Sequence, residues 1–152
     1  MYSVKNRVGR LVEAWVATPV SLEDANRIFI DARTCVSSVA ANGYKVVVVA
    51  DMTQVSLFPP EISDKLLQIM RGDTPHLERG GYWIGEALPM FSLQIQRMIR
   101  EAGSTQRRIF TRRATMETWL ADILAPHERR RLTDFLDGRE KELAALSTGG
   151  TG

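Results

Sequence analysis

One cysteine and two histidines in 152 residues remove several classes of protein at once. Cys35 alone cannot close an internal disulfide, so the fold must rest on its own core, and a reduced, cytoplasmic setting is expected. The residue falls in an apolar helical pattern, where a thiol acts as a small hydrophobe rather than a nucleophile. His76 and His127 lie far apart in the chain, and neither belongs to a His-x-x-x-His or Cys-x-x-Cys spacing, so no metal is expected. No apolar run approaches the roughly 18 residues of a membrane span, and no charged, apolar and small-residue leader opens the chain, which argues against secretion and membrane insertion. Also missing are Gly-x-Gly-x-x-Gly, a Walker loop and Gly-x-Ser-x-Gly, so no cofactor and no catalytic residue can be named.

What is present fits one domain. A chain of this length buries about 70% of its unfolded surface, and neither an internal repeat nor a linker divides it. The net charge of +2 is unevenly spread: residues 79–141 carry 12 Lys+Arg against 8 Asp+Glu. The runs Arg107-Arg108, Arg112-Arg113 and Arg129-Arg130-Arg131 could bind phosphates, but Glu117, Asp122, Glu128 and Asp134 are interspersed at helical distances. A solvated surface is the favoured reading, and nucleic acid is not expected as a partner.

The chain is organised around Tyr44 to Met70. Tyr44 to Ala50 is apolar and β-branched apart from Lys45, which predicts a central strand covered on both faces. A polar turn follows Asp51, and Pro59-Pro60 opens a helix with Ile62, Leu66, Ile69 and Met70 on one face. Before this unit, Tyr2–Val8 and Leu11–Ala17 around Gly9-Arg10 predict an antiparallel hairpin at the sheet edge. Ser21 and Asp24 then form a capping box for a helix ending at Asn42-Gly43. After it come a short strand over Gly81–Gly85, a helix opened by Pro89, a strand over Arg107–Thr111, a helix capped by Thr115, and a last helix from Pro126. The expected fold is α/β: a single mixed, mostly parallel five-stranded sheet with an N-terminal hairpin and four to five helices. The domain spans 1–146, and 147–152 are expected to be a disordered tail.

The stretch Val46-Val47-Val48-Val49-Ala50-Asp51-Met52-Thr53-Gln54-Val55 resembles the apolar strand and Asp-Leu-Ser-x-Val turn of the STAS family, the anti-sigma-factor antagonist fold, in its divergent branch. In that family the turn leads to an Asp-Ser-Ser-Gly segment whose first serine is phosphorylated by a partner kinase. Counted from Asp51, that segment falls on Pro59-Pro60-Glu61-Ile62, so proline stands in place of the phosphorylated serine. Glu61 could supply a fixed negative charge there, although a favourable first-turn carboxylate is the plainer reading. If the loop shifts the role it falls to Ser56 or Ser63, and Ser56 is the candidate phosphosite.

The resemblance implies a non-enzymatic signalling module of a bacterial regulatory pathway that binds a protein partner. The loop after the central strand is the expected contact, through Asp51, Thr53, Ser56, Phe58 and Glu61. Taken singly, Asp51 also reads as a turn residue accepting N–H bonds. Leu57-Phe58 and Leu88-Pro89-Met90-Phe91 form a candidate apolar rim beside it, with Leu57, Leu88 and Phe91 as its main members, and the favoured alternative is that these residues fold over the sheet edge and complete the core. The alternative function is a carrier of a small apolar ligand or lipid, with its pocket under the same loops. Oligomeric state is left open, a homo-oligomer included.

Overall fold

The computed structural model describes residues 1–149. In chain order it contains β1 (Tyr2–Val8), β2 (Leu11–Ala17), α1 (Leu22–Ala41), β3 (Val46–Gln54), α2 (Pro60–Asp73), a single 3₁₀ turn (Thr74–His76), β4 (Leu77–Trp83), α3 (Pro89–Glu101), β5 (Arg107–Phe110), α4 (Arg113–Ala121) and α5 (Pro126–Gly149). The five strands lie in sequence order across one sheet. β1 and β2 are antiparallel, and every later neighbour pair is parallel. The architecture is therefore the mixed α/β sheet expected, with β3 at its centre.

The two faces of the sheet are covered by different helices. Val48, Ala50 and Met52 of β3 face α1, α2 and α3, joining Ile28, Ile62, Leu66, Phe91 and Ile95 in one core. Val47 and Val49 face the other way and pack with Met116, Leu120, Leu132 and Leu136 of α4 and α5. An alternating strand with both faces apolar needs such a double cover.

Local signals explain most element boundaries. The Ser21 hydroxyl accepts the Asp24 N–H at 3.0 Å, and the Asp24 carboxylate accepts the Ser21 N–H at 3.2 Å, completing the capping box of α1. Proline occupies the first position of α2 and of α3, where its missing N–H has no intrahelical acceptor to satisfy. Gly9, at φ +53°, turns the hairpin, and a Cβ there would lie 2.4 Å from a Glu128 oxygen.

Several boundaries differ from the sequence reading. β3 runs from Val46 to Gln54, so Tyr44 precedes it and Met52 to Gln54, expected in the turn, belong to the strand. β4 begins at Leu77, not Gly81, so Gly80 and Gly81 sit inside the strand. Gly81 is where α4 comes close, since a Cβ would stand 2.9 Å from Met116 Cγ. α4 starts at Arg113 with Arg112 at its cap, so Thr115 caps nothing. α5 runs through Ser147 to Gly149, into the stretch expected to be disordered, and residues 150–152 lie outside the described ones.

Candidate functional site

The carboxyl end of β3 delivers the chain to a corner fixed from two sides. From α1's approach, the Thr18 hydroxyl donates to the Gln54 carbonyl at 3.2 Å and accepts the Ser56 N–H at 3.1 Å. From α3, the Gln94 amide clamps Phe58 at both ends: its oxygen accepts the Phe58 N–H at 2.9 Å, and its nitrogen donates to the Phe58 carbonyl at 2.7 Å. Matching one side-chain amide to one residue's backbone satisfies two polar groups that no strand or helix serves here. The Phe58 ring turns inward and meets Phe91 edge-on, centroids 5.7 Å apart.

Outside this clamp lies a groove of about 460 Å³ between α2 and α3, lined by Leu57, Pro60, Leu67, Met90 and Leu93 among others. Leu57, Met90 and Leu93 are 42%, 64% and 63% exposed, and Leu88 at the head of α3 is also exposed. Large side chains left this open on the β3–α2 corner and on α3 form a patch, not scattered surface residues. Asp64 on α2 and the Arg97–Glu101 pair on α3, at 2.8 Å, bound the groove. Hydrogen bonding to Arg97 holds the Glu101 carboxyl below its ordinary range.

The expected contact residues divide. Ser56 and Glu61 are exposed at the corner, Leu57 is exposed on the groove's lining, and Leu88 is exposed outside that lining. Asp51, Phe58 and Phe91 are 1%, 1% and 0% exposed and offer no surface, which corrects their placement in the contact. The two rings complete the core under the corner. Asp51 turns toward α5, where Arg139 Nε donates to its Oδ2 at 2.7 Å, while its Oδ1 accepts from Thr53 N and Oγ1 at 2.9 and 2.6 Å. Thr53 is thereby spent on the same carboxylate. Arg139 also stacks on Trp15, 4.3 Å from the ring centroid, and Arg131 grips buried Glu13 with two bonds of 2.9 Å.

These arginines correct the solvated-surface reading of the basic runs in part. Arg107 is buried, and Arg113 joins Glu117, Asp137 and Glu140. Leu93 and Gln94 were missed as site residues, whereas Met90 belongs to the Leu88–Phe91 stretch expected beside the contact. The signal for Leu93 was present: Met90 and Leu93 are three apart and out of phase with the Phe91, Ile95 and Met98 stripe, so α3 carries a second apolar line facing away from the core.

Under these loops Phe58 and Phe91 fill the space as part of the core. Among the described residues, no three His, Cys, Asp or Glu side chains converge on a cation position, and no helix is long and apolar enough to cross a membrane. Compared with family models, curated proteins and solved structures, the chain matches none.

Proposed function

We propose that this chain is a non-enzymatic interaction module of a bacterial-type cytoplasmic regulatory pathway, and that it takes an amphipathic helix of its protein partner into the α2–α3 groove. The observation that carries the reading is the cluster of Leu57, Met90 and Leu93, exposed around one groove from the β3–α2 corner and from α3. α3 has 13 residues, or about 20 Å at 1.5 Å per residue, a length that suits three to four turns of a ligand helix. Helix-in-groove binding uses apolar anchors at i, i+3 or i+4, and i+7, with charges at the margins. Asp64, Arg97 and Glu101 provide such margins. The resemblance to STAS domains directs attention to the same end of the sheet.

A displayed peptide library tests the reading. Sequences enriched on the wild-type protein should show an apolar i, i+3/i+4, i+7 pattern. They should lose at least about tenfold in affinity on Leu93→Asp, as expected for an anchor at a groove centre, but not on Leu146→Asp, an equally exposed leucine far along α5. Enrichment that is absent, or that survives Leu93→Asp in a folded protein, sinks the proposal.

A further inference from the structure

A second feature lies elsewhere, between the sheet and α1–α2. A cavity of about 90 Å³ is lined by Val4, Ala14, Ile28, Val48, Leu66 and Met70 among other apolar residues, and its polar lining includes Asp73 and Arg107. A separate cleft of about 570 Å³ opens on the surface between α1 and α2, with Arg33 and His76 on its walls. The two share Val36, Ile69 and Asp73, so the outer cleft and the inner cavity adjoin along these side chains.

Arg107 is the unusual member. It is 6% exposed, and its guanidinium donates to the Tyr82 hydroxyl at 3.0 Å, the Thr74 hydroxyl at 2.9 Å and the Met70 carbonyl at 2.7 Å. All three acceptors are neutral. Among the described residues no carboxylate lies within ion-pairing distance of it, although a buried cation ordinarily needs one. Three bonds also leave two of its five N–H protons to place. Asp73 is the carboxylate of this neighbourhood, and burial pushes its carboxyl up to about 6 against the pull of Arg107, His76 and Arg33. Cys35 of α1 and Tyr82 of β4 also feel its charge.

We propose that cleft and cavity together bind a short-chain aliphatic monocarboxylate, its tail in the cavity beneath α1 and α2 and its carboxylate at the Asp73–Arg107 end. An apolar cavity of about 150 Å³ accommodates benzene, so this one takes a tail of about three to five carbons. The bound carboxylate supplies the anion that Arg107 lacks. It also meets Asp73, and two carboxyl groups at one site hold a proton between them. Binding therefore takes up a proton and tightens as the pH falls from 8 to 6, the ligand remaining ionised throughout.

Methyl-resolved NMR of the whole chain, titrated with sodium hexanoate at pH 6 and pH 8, tests this. Expected are saturable shifts on the Ile28, Val48, Leu66 and Met70 methyls, with a Kd of about 1 mM or tighter at pH 6 and affinity several-fold weaker at pH 8. Hexan-1-ol and hexylamine should bind at least about tenfold more weakly, one lacking charge and the other carrying the wrong sign. Asp73→Asn should flatten the pH dependence, and Ala32→Met, which fills the cavity from α1, should weaken binding at least about tenfold. No saturable shift up to about 10 mM overturns the proposal, as does equal binding of the alcohol or shifts gathered on the α2–α3 groove. Dihexanoyl phosphatidylcholine binding where hexanoate does not would assign the cavity to a lipid acyl chain and overturn it equally. Because the wild-type titration stands by itself, a variant that fails to fold does not remove the test.

Discussion

At the scale of single residues, the polar groups carry the information that apolar patterning omits. Asp51 was visible as a carboxylate ending an apolar strand, and its bonds to Thr53 follow from local geometry. Its bond to Arg139, 88 positions away, has no local signal, and that bond is what removes Asp51 from the surface. Asp73 yields a prediction with a definite sign. Its carboxyl titrates at about 6 in the folded chain against a starting value of 3.8, so between those limits the native state holds more protons than the unfolded state. The stability this group contributes is present below about 4 and is lost as the pH rises through 6. Asp73→Asn should accordingly stabilise the protein at pH 7.5 by about 1–2 kcal/mol, after allowing for partial solvent exposure, and the gain should shrink toward nothing at pH 4. Urea unfolding at the two pH values measures it, and an equal gain at both would refute burial as the cause.

At the scale of elements, periodicity and punctuation located every helix and strand, and one boundary error, at the start of β4, falls where charge and glycine mask a strand. Glu78 and Arg79 at the start of β4 read as loop, yet Glu78 pairs with Arg10, and Arg79 stacks over Trp119 at 5.0 Å and donates to its carbonyl at 2.7 Å. Gly80 and Gly81 read as a break because a glycine admitted for close helix packing looks the same in sequence as one admitted for a turn. The corner between β3 and α2 depends on an element it does not belong to. Gln94→Ala removes both bonds to Phe58 and leaves its part-buried N–H and C=O unsatisfied, which should destabilise the protein by about 2 kcal/mol. Peptides selected for the groove should also bind more weakly, since Leu57 loses its fixed position. Chemical denaturation paired with a peptide titration checks both, and unchanged stability would mean that water replaces the amide at no cost.

At the scale of the whole molecule, α5 seals one face of the sheet by a buried ion pair, Asp51–Arg139, and by a second, Glu13–Arg131, whose carboxylate is buried and whose arginine is partly exposed, set beside Leu132, Phe135 and Leu136. Arg139→Met keeps the apolar stem but leaves Asp51 buried without its cation, and should cost about 3–5 kcal/mol. Asp51→Leu in the same chain should restore much of that, because replacing both members of a buried pair by apolar groups is far less costly than removing one. A double variant no more stable than Arg139→Met alone, read from urea midpoints, would show that the pair is not the source of the loss. The sequence by itself determined the fold class, the element order, the central position of the valine strand and the end of the sheet where its loops emerge. Each of these follows from short-range spacing, the repeat of two along a strand and of 3.6 along a helix, together with proline and glycine punctuation. Only the tertiary structure decided that Phe58 and Phe91 turn inward while Met90 and Leu93 face out, that the basic runs are partly consumed in holding α4 and α5 to the sheet, and that a cavity with a buried guanidinium in its lining lies between the sheet and α1–α2. Those outcomes depend on which surfaces meet across dozens of intervening residues, and no local pattern encodes a side chain's distant partner.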